Sequence, residues 1–215
     1  TLNSPEAIKA AEMYADIFAN YSPDGAVNFK YTDVVAAMQQ GNTAIIMEGA
    51  PLGGKINDPE KSTVRGKLGY AMVPKGPGGR HPAFTGHGVA LAAGAPNLEP
   101  AWLFLQWALS KDTTIDIALN SNHVAVSRDS VWEDASFREK WNLPGAGGDF
   151  LKAFQDSLNA ADANYRPRIS GWGEVNTAYG EALQKVMLGQ ISAEEAMNDA
   201  QAKAVEVMKR LEYID

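Results

Sequence analysis

Residues 31–49, YTDVVAAMQQGNTAIIMEG, decide how the rest of the chain is read. The spacing predicts a short helix over Val34–Gln40, with Thr32 as its cap and Gly41 as its stop. Thr43–Met47 is then an apolar, β-branched run of strand length, and Glu48-Gly49-Ala50-Pro51 turns the chain at its end, ahead of Gly53 and Gly54. Helix, glycine, strand and turn follow one another within nineteen residues. Strands separated by helices in this way indicate the α/β class, a mostly parallel or mixed sheet covered by helices.

The same punctuation continues on both sides. Upstream, Asn3 and Ser4 precede Pro5, a cap and first-turn arrangement, and Ile8, Ala11, Tyr14, Phe18 and Tyr21 fall on one helical face. Downstream, Lys67–Val73 reads as a strand, Pro74–Pro82 as a Gly/Pro loop, and the stretch Phe84–Ala93 (FTGHGVALAA) resumes the strand pattern from His87. The strands Thr43–Met47, Lys67–Val73 and Val89–Ala93 are expected in one sheet with helices on both faces. Asn97 and Pro100 open an apolar helix in which Leu103, Phe104 and Trp107 share a face, and Asp112–Leu119 forms a second helix. Gly145–Gly148 is a loop before a helix over Phe150–Ala161, and a further helix runs over Trp172–Leu188. Ser192 with Glu195 forms a capping box for a last amphipathic helix through Met208.

Composition narrows the function. The 215 residues are 45% hydrophobic and 21% charged, enough for a real core. A net charge of -7 disfavours nucleic acid and anionic membrane surfaces as partners. No Cys is present, which excludes disulfides and thiolate metal sites and leaves the redox compartment open. No run approaches the roughly 18 apolar residues that a membrane span needs. The chain starts at Thr1 without a Met and enters a helix almost at once, so it is read as a fragment of a longer protein. No His-x-x-x-His or His-Glu-x-x-His pair, Gly-x-Ser-x-Gly elbow or phosphate loop occurs. Neither catalytic residues nor a metal or cofactor are therefore expected. A hydrolase with paired carboxylates is the alternative, although for Glu194, Glu195 and Asp199 a solvated helix face is the ordinary explanation.

In α/β sheets ligands sit beyond strand ends, at loops leading into helices. Three segments offer such groups. Glu48, Gly49 and Pro51 form the first turn, for which an ordinary tight turn is the competing reading. Gly86 and His87 enter the third strand; a neutral imidazole both donates and accepts, which suits hydroxyls, while a half-buried structural His is the competing role. The third segment is Tyr165–Gln190 (YRPRISGWGEVNTAYGEALQKVMLGQ), where Pro167 extends Arg166 and holds Arg166 and Arg168 on a stiff lead-in to Trp172. Trp172 offers a flat face with few rotatable bonds, or anchors its helix in a core; the arginines reach a ligand or pair with Glu174 or Asp162. His81 is read as solvent-exposed, and His123 as facing either a cleft or a hinge. Trp102, Trp107, Trp132 and Trp141 are assigned to core or interface packing.

These three segments, in this order, resemble the C-terminal portion of ABC-transporter extracellular solute-binding proteins of the sugar-binding, maltose-binding-protein-like type. In that family a glycine turn like Glu48–Pro51 lies against the ligand and an aromatic commonly follows; here Pro51 and Leu52 stand in its place. Gly-Gly-Trp is frequent where this chain has Gly86-His87-Gly88, so His87 replaces the Trp. An Arg or aromatic from the third segment reaches the ligand in the family, which points to Arg166, Arg168 and Trp172. The resemblance implies a two-lobed periplasmic-binding-protein (type II) architecture. Residues 1–87 and 128–215 would fall in the C-terminal lobe, and residues 88–127 would pack on the other lobe, whose first part the chain lacks. It further implies a non-enzymatic protein, periplasmic or extracellular and compatible with a lipid anchor, that captures a sugar or related carbohydrate between lobes. Its partners would be that small ligand and a membrane permease, with self-association of the fragment through its apolar helix.

Overall fold

A computed structural model describes residues 1–143 and 149–215; the loop expected at Gly145–Gly148 lies outside the described residues. Among the described residues are ten α-helices: α1 (Pro5–Tyr21), α2 (Tyr31–Gln39), α3 (Gly53–Ile56), α4 (Leu98–Ala108), α5 (Lys111–Asn120), α6 (Asp129–Trp132), α7 (Ala135–Trp141), α8 (Asp149–Ala160), α9 (Trp172–Met187) and α10 (Ala193–Arg210). They divide into two compact units, one of Thr1–Lys30 with Arg166–Asp215 and the other of Tyr31–Tyr165.

In the first unit α1, α9 and α10 pack on one another around Ala11, Ala182, Val186, Ala193, Ala196, Met197 and Ala200. The many alanines let the helix axes approach closely. Ser4 Oγ accepts the Ala7 N–H at 3.2 Å and Ser192 Oγ the Glu195 N–H at 3.1 Å, so both expected caps form. The apolar face of α1 is only partly used: Ile8 and Ala15 pack on the core, while Tyr14 and Tyr21 are exposed. Arg210 Nη2 donates to both carboxylate oxygens of Glu174, at 2.6 and 2.7 Å, and this holds the Glu174 carboxyl below its ordinary range. The lowered folded-state pKa means that the stabilisation is present above the unfolded carboxylate value and lost as pH falls through the folded one. The pair is exposed and its worth small. Glu174→Gln is expected to lower the melting temperature at about pH 7 by no more than about 2 °C and to have no effect at about pH 2, as thermal scans would check.

The second unit has its main core in the side chains of α5 to α8 and the segment between α5 and α6: Ala118, Val124, Val131, Phe137, Trp141, Leu143, Phe150 and Phe154. Trp132 stands edge-on to both Phe137 (5.4 Å) and Phe154 (5.2 Å), and its indole N–H donates to Val126 O at 3.1 Å. Ser110 and Asp134 cap α5 and α7. A smaller cluster of Val35, Met38 and Ile56, with Leu52, Val64 and Leu68 against it, seats α2 on α3. Gly41, at φ 75, ends α2, and its N–H and that of Asn42 return to Met38 O and Ala37 O. The helix begins at Tyr31, earlier than the spacing suggests, which puts Thr32 inside it rather than at the cap.

The expected sheet is not formed. Among the described residues the only β pairings are two isolated bridges, Gly76 with Gly79 antiparallel and Ala83 with Asp162 parallel. Thr43–Met47, Lys67–Val73 and Val89–Ala93 run as irregular chain, and Ile45, Met47 and Val89 are 85%, 67% and 61% exposed. Exposed and half-buried residues alternate one by one over 61–70, but 61–66 lie mainly in turns and bends, so this is not the alternation of a strand. What is lacking is a second chain segment at about 4.8 Å to take the backbone hydrogen bonds, without which an apolar run of strand length is not a strand. Likewise α4 forms but buries none of its residues; Trp102, Leu103, Phe104 and Trp107 are all more than half exposed.

Candidate functional site

The turn Glu48–Pro51 stands on a rigid footing. Leu52 N–H donates to Gly49 O at 2.9 Å, closing a 3-10 turn over Ala50–Leu52 that runs directly into α3. Ala50 packs against the aromatic core on one side, and Leu52 and Ile56 against Val35 and Met38 on the other. The contact is close because α3 starts with two glycines. A Cβ on Gly53 would lie 2.3 Å from Phe150 Cε2, and one on Gly54 would lie 2.7 Å from Trp141 Cζ3 and 2.8 Å from Asn122 O. Glu48, Gly49 and Pro51 remain exposed at the end of this wedge, with Glu48 Oε2 accepting the Gly49 N–H at 3.0 Å. Gly49 has φ -61, so no left-handed backbone demands a glycine there.

The stretch 121–124 is pinned beside α3. Lys140 Nζ donates to Leu119 O (2.5 Å) and Ser121 O (2.6 Å) at the end of α5 and lies 5.0 Å from the Trp141 ring. Burial lowers the pKa of this ammonium. Asn122 Nδ2 donates to Asp58 Oδ2 at 3.3 Å, Val124 is fully buried, and His123 points its exposed side chain outward between them.

Gly86 and His87 are exposed, in irregular chain. A Cβ at Gly86 or Gly88 meets nothing within 4 Å and neither has a positive φ, so no packing in the described chain requires glycine there. His87 is not the half-buried, loop-bonded histidine that was its competing role. His81 is exposed as expected, its Nε2 at 2.8 Å from Gly78 O.

In the first unit Trp172 is the first residue of α9 and half-buried. Its helix start is locked by Gly171, at φ 80, where a Cβ would lie 2.5 Å from Leu211 Cδ1 and 2.6 Å from Val207 Cγ1. Ser170 N–H donates to Tyr213 OH at 3.2 Å, so the lead-in rests on the segment that follows α10. Arg166 and Arg168 are exposed along that lead-in, and Glu174 is engaged by Arg210. An open depression of about 360 Å³ beside it is lined by Gly173, Glu174, Thr177, Ala178, Glu181 and Lys203, none of them an expected site residue. Sequence reading missed Gly171; a glycine directly before a helix was the available signal.

Of the five tryptophans, Trp141 is buried, Trp132 and Trp172 are half-buried, and Trp102 and Trp107 are exposed. Among the described residues no group of three His, Cys, Asp or Glu could hold a metal ion, and no helix is long and apolar enough to cross a membrane.

Residues 1–115 match the family of bacterial extracellular solute-binding proteins. The chain belongs to this family. The chain path is similar to that of an ABC-transporter solute-binding protein from Agrobacterium radiobacter K84 solved in complex with ribitol, at 26% identity and TM-score 0.84 over 96% of this chain and 51% of that one. The corresponding protein of Agrobacterium vitis S4, solved with D-mannitol, gives TM-score 0.80 at 23% identity over 98% and 52%. The mannitol-binding protein of Pseudomonas aeruginosa is 23% identical over 95% of this chain and 49% of its own length. The chain spans about half the length of the curated relatives it matches. Family membership agrees with what the three segments implied, and the fold is that of a portion of a solute-binding protein.

Proposed function

We propose that this chain carries part of a solute-binding protein of an ABC importer that captures a polyol or sugar and delivers it to a membrane permease, without chemical change, outside the cytoplasmic membrane. The observation that carries the reading is the agreement in path and sequence with the ribitol-complexed relative over nearly the whole chain. Relatives named for mannitol and for erythritol/L-threitol extend the same ligand chemistry. None of the relatives named here is a hydrolase.

Glu48, Gly49, Pro51, Gly86 and His87 in the second unit, and Arg166, Arg168 and Trp172 in the first, are proposed as ligand-contacting groups, each set taken on its own unit. They are exposed or half-buried, and the turn at 48–51 is held from behind by packed aromatic rings. The residue types favour a linear polyol over a pyranose. A sugar ring presents an apolar C–H face to an aromatic, and Pro51–Leu52 and His87 stand where the family often has aromatic rings. A polyol presents mainly hydroxyls, which imidazole, carboxylate and guanidinium satisfy. Residues 88–127 are proposed to pack on the family's other lobe, where Val89–Ala93 would find a strand partner.

Titration calorimetry of this chain against ribitol, D-mannitol, erythritol and maltose is the test. Saturable heat with a linear polyol, reduced at least about tenfold in affinity by Trp172→Ala, is the expected result. An unaltered affinity in the variant would return Trp172 to a packing role, and release of a cleavage product from maltose would replace the binding reading with a hydrolase.

A further inference from the structure

The turn at 48–51 is backed by a polar pair, buried Asn57 and half-buried Tyr70, that no binding role requires. Asn57, at the C-terminal end of α3, is 5% exposed. Its Nδ2 donates to Gly53 O at 2.9 Å and also to the hydroxyl of Tyr70, while its Oδ1 is buried and finds no partner among the described residues. Tyr70 in turn stands edge-on to Phe150 at 5.0 Å, and Phe150 occupies the space that a side chain on Gly53 would need. A closed circuit results: Gly53 O to Asn57 to Tyr70 to Phe150 and back onto Gly53.

The circuit holds the first residue of α3 at its carbonyl and at its Cα. The 3-10 turn Ala50–Leu52 is continuous with that residue, Gly53 N–H donating to Ala50 O, so a rotation of α3 about its axis would carry the turn with it. Hydrophobic packing alone leaves such a rotation soft; the Asn57–Gly53 bond turns with the helix, but the bond from Asn57 to the Tyr70 hydroxyl reaches outside it and adds a directional restraint. A phenylalanine at position 70 would preserve the ring stack and remove the hydroxyl, a fact that makes the device separable from the packing.

We propose that Tyr70 and Asn57 are positioning residues that set the orientation of the turn Glu48–Pro51. This rests on the reading of that turn as ligand-facing, because only then does its orientation matter to function. Neither residue touches the ligand; both act through Gly53.

Nuclear magnetic resonance of the isotope-labelled chain tests the positioning directly. In Tyr70→Phe the amides of Gly49, Ala50 and Leu52 should shift or broaden, while those of α10 stay in place. Val131→Ala, which loosens the same core without touching the circuit, should leave the turn amides where they are. Asn57→Ala repeats the test from the other end of the bond and should perturb the same amides. Ribitol affinity is the second readout, expected to fall about tenfold in Tyr70→Phe at a temperature where both proteins are fully folded. Turn amides unmoved in Tyr70→Phe, or moved equally by Val131→Ala, would overturn the proposal. Moved amides with unchanged ribitol affinity would overturn the claim that the orientation serves binding. Failure of the unsubstituted chain to bind ribitol would count against the polyol reading alone, since the amide shifts decide the positioning without a ligand.

Discussion

Gly54→Ala is expected to destabilise the second unit by about 3 kcal/mol, the upper part of the range for forcing a methyl into a filled core. The added Cβ would meet two atoms of the Trp141 ring and the backbone oxygen of Asn122, all below 3.0 Å. A flexible side chain would yield at little cost, but neither neighbour is one. Trp141 is 2% exposed within the aromatic core, and the Asn122 backbone is held by Lys140 through Ser121 O and by the burial of Val124. Urea unfolding followed by far-ultraviolet circular dichroism should show the midpoint falling. Gly69→Ala is the control, because its Cβ meets nothing within 4 Å and the change should stay within about 0.5 kcal/mol. A double-mutant cycle with Trp141→Phe should recover part of the loss, since a smaller ring relieves one of the two clashes. A midpoint unchanged by Gly54→Ala would mean that α3 does not sit against α7 in solution.

The second large effect concerns α4. Leu98, Trp102, Leu103, Phe104, Trp107 and Leu109 are between 45% and 61% exposed on one eleven-residue helix and its end. Leu103, Phe104 and Trp107 share one face, and an exposed apolar face of this kind marks an interaction surface or drives association. Completing the burial of such side chains is worth about 1 kcal/mol each, half of the usual figure for a full transfer from water. Light scattering on the isolated chain should show a mass that rises with concentration. The triple variant Leu103→Glu/Phe104→Ser/Trp107→Gln should weaken that association more than about a hundredfold, the equivalent of about 3 kcal/mol. Its effect on the melting temperature of the monomer should be slight, because α4 contributes no buried residue to the core. A strictly monomeric unsubstituted chain at high concentration would remove α4 as a self-association face, and tight sugar or polyol binding by such a monomer would count against the proposed placement of residues 88–127 on another lobe.

Helices were legible in the sequence wherever local chemistry specifies them. Ser4 with Pro5, Ser192 with Glu195 and the stop at Gly41 are interactions between residues within a few positions of each other, and the corresponding helix ends form as read. The short helices α3, α6 and α7 were not legible, because four to seven residues show no periodicity and are held by the core around Phe137 and Trp141. The family was legible too, since it is carried by the order of three short segments and needs no long-range contact to be recognised.

The strands mark the boundary of what sequence alone determines. The β-branched run at 43–47 and the strand-like stretch 67–73 show only that these segments suit a sheet. Whether a sheet exists depends on a neighbour elsewhere in the chain or beyond it, and within the described residues only single bridges form. The candidate site divides in the same way. Residue type placed Glu48, His87, Arg166 and Trp172 among groups able to meet a hydroxylated ligand. Only the tertiary structure disclosed that the turn at 48–51 is braced through Gly53, Gly54, Asn57 and Tyr70, because a close approach to Phe150 and Trp141, roughly ninety residues away, leaves no local trace beyond two adjacent glycines.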